Sequence, residues 1–119
     1  MADNFVFFNS RDELLRINLS DVVYFEANGN YTNVITINKL KASVCMSLIK
    51  MECVLREHTK SSVFLRVGKK FIINVNFIYQ LNIPKQRLVL TDYHNFVYSL
   101  PISREALRKI KDYTLKNKI

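Results

Sequence analysis

The chain predicts a mainly β, antiparallel domain with one short middle helix and a second helix at its C-terminus. Short apolar runs rich in β-branched and aromatic residues recur along it, and such residues fit a pleated, half-buried surface. Polar turn chemistry separates the runs, and only two windows switch to helical spacing. The 119 residues suit one domain, residues 1–119 with a core at about 5–115, large enough to bury an ordinary core without staples.

Residues 5–8 (Phe5-Val6-Phe7-Phe8) predict a first strand and 14–18 a second, after the polar turn Ser10-Arg11-Asp12-Glu13. Residues 22–27 form a stronger strand candidate. The turn Asn28-Gly29-Asn30 follows, because Asn and Gly tolerate positive φ. Residues 31–37 return as a strand, and Asn38-Lys39 turns into 40–44. These returns imply a meander. Ser47 can cap a helix through its hydroxyl, and Leu48, Met51, Val54 and Leu55 then share one face as far as about His58. Strands resume at 64–67, 71–74 and 79–83. After the turn Pro84-Lys85-Gln86, residues 87–90 and 96–100 make a hairpin across 91–95, and Pro101 stops the strand. Ser103 is a second capping candidate; Ala106, Leu107, Ile110 and Tyr113 give the last helix its apolar face. Lysines crowd the end of that helix, where the dipole favours cations. No internal repeat, linker or low-complexity segment stands out.

Composition narrows the function. Two Gly and two Pro among 119 residues argue against disorder. Cys45 and Cys53 match no zinc spacing and make a poor disulfide framework, so reduced, buried thiols in a cytosolic protein are expected. No run of about 18 apolar residues supplies a membrane helix, and the start lacks the pattern of a signal peptide. His58 and His94 fall in expected connections away from any obvious nucleophile, and Asp21 and Glu26 suit turn and surface roles. No glycine-rich phosphate loop, paired-carboxylate motif or metal-ligand cluster appears. An enzyme, a cofactor and a metal are not expected.

Binding groups are better supplied. Residues 1–59 carry 6 Lys/Arg against 7 Asp/Glu, whereas residues 60–119 carry 12 against 3. A solubility charge has no reason to collect in one half, while such a field attracts phosphate polymers. Three groups stand out within it. Asn28, Asn30, Tyr31, Thr32 and Asn33 offer amides and hydroxyls that can read base edges or reach phosphate, although a hairpin also uses Asn for backbone reasons. Arg66, Lys69 and Lys70 place cations at the turn between two apolar strands; edge lysines that deter aggregation are the plainer explanation. Ser103 and Arg104 combine a helix N-terminus with a guanidinium, a direct cause for phosphate binding, or simply a cap. Arg108, Lys109, Lys111, Lys116 and Lys118 add nonspecific attraction.

The ordered set Ile17-Asn18-Leu19-Ser20-Asp21-Val22-Val23-Tyr24-Phe25-Glu26-Ala27, Asn30-Tyr31, Ser47-Leu48, Phe64-Leu65-Arg66-Val67, Phe71-Ile72-Ile73-Asn74, Tyr79-Gln80-Leu81 and Leu100-Pro101-Ile102-Ser103-Arg104 resembles the LytTR family. That family is the β-rich DNA-binding domain of LytR- and AgrA-type bacterial regulators. The resemblance implies an elongated antiparallel β domain of several small sheets that inserts loops, rather than a recognition helix, into DNA grooves. It places contacts on the 28–33 loop, with Tyr31 and Thr32 foremost, on Arg66, Lys69 and Lys70, and on Ser103 and Arg104. Many members carry His-Arg-Ser or His-Asn-Ser where this chain has Gly68-Lys69-Lys70, which keeps positive charge but leaves the preferred base open. Most members follow a receiver domain of a two-component response regulator, and none precedes Asp3 here. A stand-alone regulator and an excised C-terminal domain both fit. The expected partner is double-stranded promoter DNA, as direct repeats held by a pair of copies, with a homodimer on DNA; the expected location is the cytoplasm. An RNA-binding module and a basic protein-interaction or sensory β domain are the alternatives, the first weakened because most Phe look buried.

Overall fold

The computed structural model describes residues 4–58 and 63–117. Strands β1 (Phe5–Asn9) and β2 (Leu14–Asn18) pair as a hairpin; β3 (Val22–Asn28), β4 (Tyr31–Thr36) and β5 (Lys41–Val44) follow as a meander. Helix α1 (Leu48–His58) leads to β6 (Phe64–Val67) and β7 (Phe71–Asn74), then β8 (Ile78–Asn82), β9 (Arg87–Thr91), β10 (Val97–Pro101) and helix α2 (Arg104–Asn117). Among the described residues the strands form a two-stranded sheet β1-β2, a five-stranded sheet β5-β4-β3-β7-β6 and a three-stranded sheet β10-β9-β8, every pair antiparallel. The molecule measures 45 × 35 × 27 Å.

The central sheet is covered on both faces, which explains why its strands read as continuous apolar runs rather than an alternation. Val22, Phe25, Val34 and Ile72 pack with Val6 and Ile17 of the first hairpin and with Met51 and Leu55 of α1. Tyr24, Ile35, Phe71 and Ile73 pack the other way, against Leu88, Leu90 and Leu100 of the small sheet and Leu107 and Ile110 of α2. Val23 and Tyr24 lie in the same core although they are neighbours, because the register slips between Val22 and Tyr24. A bulge of this kind breaks the period of two.

Two turns of 3-10 helix, at 19–21 and 75–77, carry the chain from one sheet to the next. Each is capped by the Asn that ends the preceding strand: Asn18 Oδ1 accepts from the Ser20 N–H at 3.0 Å, and Asn74 Oδ1 from the Asn76 N–H at 3.0 Å. The segments Ile17-Asn18-Leu19 and Ile73-Asn74-Val75 are thus a repeated device that no sequence period announces. Both helices are capped where expected. Ser47 Oγ accepts from the Lys50 N–H and Ser103 Oγ from the Ala106 N–H, each at 3.2 Å.

Several local expectations change. Strand β4 ends at Thr36 rather than residue 37 and β8 begins at Ile78 rather than 79, while α1 ends at His58 as expected, which makes that histidine the last helical residue and not part of a connection. Pro101 belongs to β10, opposite Arg87; β10 is an edge, where a missing N–H leaves no ladder bond unmade. Both cysteines are exposed, against the expected buried thiols. Cys53 sits between Met51 and Leu55, which face the core, and so points outward; Cys45 falls just past the end of β5.

Candidate nucleic-acid interface

The β3–β4 hairpin turns through Gly29-Asn30, with Asn28 opposite Tyr31. Gly29 has a φ of +61° and Asn30 has none above zero, the sign pattern of a type II′ hairpin, for which Gly at the first central place is suited. Asn28, Asn30 and Tyr31 are exposed, Tyr31 by 49%. Thr32 and Asn33 are buried instead. Thr32 Oγ1 donates to the Met46 carbonyl at 2.8 Å, and Asn33 Oδ1 accepts from Ser43 Oγ at 2.8 Å. These two side chains tie β4 to β5 and to Met46 just beyond it, so the accessible part of this segment is 28–31.

Antiparallel pairing of β3 with β7 carries the second segment to the same end of the central sheet. Glu26 pairs with Phe71, the Ala27 N–H donates to the Lys70 carbonyl at 2.8 Å, and Lys70 Nζ lies 3.7 Å from Glu26 Oε2. Gly68 opens the β6–β7 turn with a φ of +63°. Lys69 and Lys70 are exposed at this tip, and the Lys69 ammonium has no partner among the described residues. Arg66 is more enclosed. Its Nε donates to the Gly68 carbonyl at 2.9 Å, its Nη2 to the Lys69 carbonyl at 3.4 Å and its Nη1 to Glu52 Oε1 of α1 at 3.2 Å.

The third segment adjoins the second across a groove of about 450 Å³, lined by Arg66, Gly68, Ser103, Ala106, Lys109 and Tyr113 among others. Ser103 and Arg104 are exposed at the start of α2. Arg104 Nη2 donates to the Pro84 carbonyl at 3.3 Å, and the Ile102 N–H to the Gln86 carbonyl at 3.1 Å. The β8–β9 turn therefore joins the same end, bringing exposed Lys85 and Arg87. Further along α2, Arg108, Lys109, Lys111 and Lys116 are exposed; Lys118 lies outside the described residues. Chemically, the assembly presents amide, hydroxyl, ammonium and guanidinium groups with a helix N-terminus, a donor set matched to phosphate oxygens and base edges.

A family model for the LytTr DNA-binding domain matches residues 12–114. The chain belongs to the LytTR family. A solved structure from Bacillus cereus, assigned as the LytTr DNA-binding domain of a methyl-accepting/DNA response regulator, superposes on this LytTR domain with a TM-score of 0.67. It is 24% identical, covering 93% of this chain and 96% of the other. Comparison with curated proteins gives no match. No helix of the LytTR domain, among the described residues, is long and apolar enough to cross a membrane.

Within this LytTR domain four residues at the candidate interface were not singled out from the sequence. Lys85 and Arg87 looked like turn and strand residues, and their charge was the available signal. Glu26 suited a turn or surface role, and Glu52 carried no assigned role. Their pairing with Lys70 and Arg66 spans 44 and 14 positions, and only the fold creates it.

Proposed function

We propose that this LytTR domain binds double-stranded promoter DNA sequence-specifically, inserting its loops into grooves, as the DNA-reading part of a bacterial transcriptional regulator. One observation carries the reading: the 28–31 hairpin, the 68–70 turn and the start of α2 are neighbours, joined by the Ala27–Lys70 backbone bond and by the groove shared between Gly68 and Ser103. Three segments far apart in sequence thereby bring exposed cations and amides to one end of the molecule, with Glu26 and Glu105 among them.

Roles divide by exposure. Asn28, Asn30 and Tyr31 read base edges, since Asn can bond adenine through donor and acceptor together. Lys69, Lys70 and Arg104 neutralise phosphates or reach guanine, and Ser103 sets the helix start whose N–H groups favour an anion. Buried Thr32 and Asn33 shape the hairpin. Two copies occupy direct repeats as a pair. The test is selection of bound oligonucleotides from a random duplex pool, followed by titration of the recovered duplex against single-stranded RNA at fixed salt. A preferred duplex sequence held more tightly than the RNA supports the reading. Equal affinity for every duplex would sink it in favour of a protein-docking role.

A further inference from the structure

We propose that Glu52 of α1 positions the DNA-contacting turn by holding Arg66, so that this arginine braces the tip and leaves phosphate contact to Lys69, Lys70 and Arg104. The inference rests on the reading of 68–70 as a DNA contact.

The geometry around Arg66 carries it. A guanidinium offers five N–H donors in a fixed fork, and here three bonds are made within the protein: two to the carbonyls of Gly68 and Lys69 at the tip, one to Glu52 of α1. Its side chain is 22% exposed, against 62% for Lys70. Gly68 brings no side chain to the turn, and those of Lys69 and Lys70 are exposed, so the Arg66 fork is what ties the carbonyls of 68 and 69. The planar fork reaches both carbonyls and the carboxylate from three separate nitrogens, whereas an ammonium must serve all three from one atom. Glu52 fixes the far side of that fork from a helix packed on the central sheet, and its other oxygen holds Arg56 Nη2 at 3.2 Å. Without that grip the guanidinium can swing toward solvent, and the turn must be ordered at the expense of binding.

The sign of one substitution separates a brace from a simple charge. Removing Glu52 deletes a negative charge near bound DNA, so electrostatics alone predicts tighter binding. The brace predicts weaker binding. Glu52→Ala keeps helix propensity high and should bind the duplex recovered from the random pool about tenfold more weakly, without a smaller log–log salt slope. Glu52→Gln retains an acceptor and should lose less. Arg66→Lys keeps the charge but not the fork and should match Glu52→Ala, with the double variant no weaker than either single one. Arg56→Ala is the control and should remain within about twofold of the parent. Backbone ¹⁵N relaxation without DNA should show Gly68, Lys69 and Lys70 loosened in Glu52→Ala and in Arg66→Lys. Should Glu52→Ala melt far below the parent, Arg66→Lys decides. Binding by Glu52→Ala at or above parental affinity, with Arg66→Lys unchanged and the turn still ordered, overturns the brace. If the parent selects no duplex, the DNA reading fails on its own, and the relaxation data still decide whether Glu52 holds the turn.

Discussion

Asn74 is buried where β7 gives way to its 3-10 turn, with Nδ2 donating to the Val22 carbonyl at 2.9 Å while Oδ1 caps the turn. Asn74→Ala strips a buried carbonyl of its donor and a turn of its acceptor. It should cost about 1–3 kcal/mol, read as a lower urea midpoint. Tyr24 is also buried, edge-on to Phe71 and Tyr98 at 5.9 and 5.4 Å. Burial first, and then the nearby Glu26 and Tyr98, push its phenol up to about 12. Because the folded value exceeds the unfolded one of about 10, its contribution is fully present below about pH 10 and is lost as pH rises toward 12. Thermal melts should therefore fall across that window, and Tyr24→Phe should flatten the fall. A parent whose alkaline melts match those of Tyr24→Phe would contradict the assignment.

Helix α2 illustrates how an element is fixed by a few side chains. Its polar face is exposed and its ion pair between Lys109 and Glu105, 3.8 Å apart with both side chains largely exposed, contributes little. Leu107 and Ile110, both buried, anchor it on the small sheet. Leu107→Ala should cost about 2–5 kcal/mol, and if the Ser103 cap and Arg104 at the start of α2 contact DNA as proposed, affinity for DNA should drop along with the melting temperature. The 92–96 loop is held differently. Desolvation disfavours the charged form of Asp92, but N–H groups of Asn95, His94 and Phe96 and the Asn95 side chain outweigh it and keep its carboxyl well below the usual range. Strands and helices were legible from period and capping chemistry because those signals are local. The two Asn-capped 3-10 turns were not, since three residues are too few to show a period.

At the scale of the whole molecule, the uneven charge of the sequence becomes a position. Arg66, Lys69, Lys70, Lys85, Arg87 and Arg104 come from the basic half and gather around one end through β3–β7 pairing, the shared groove and the Arg104–Pro84 bond. If that end meets phosphate, Arg104→Ala should lower the log–log salt slope by about 1 and weaken all duplexes alike. Asn30→Ala should instead cost about 1–3 kcal/mol mainly on the preferred duplex. An Arg104→Ala protein with parental affinity and slope would remove the third segment from the surface.

The residues alone set the antiparallel β class, the two helices with their serine caps and the three stretches rich in cations and amides, because periodicity, capping and charge act over a few neighbouring positions. Which side chains within those stretches stay free was decided by tertiary packing. Thr32 and Asn33 look as available as Asn30 until β5 and the residues beyond it close over them. Arg66 looks as available as Lys69 until α1 delivers Glu52. Burial and ion pairing between segments depend on which elements meet in space, and that distance is absent from any local pattern.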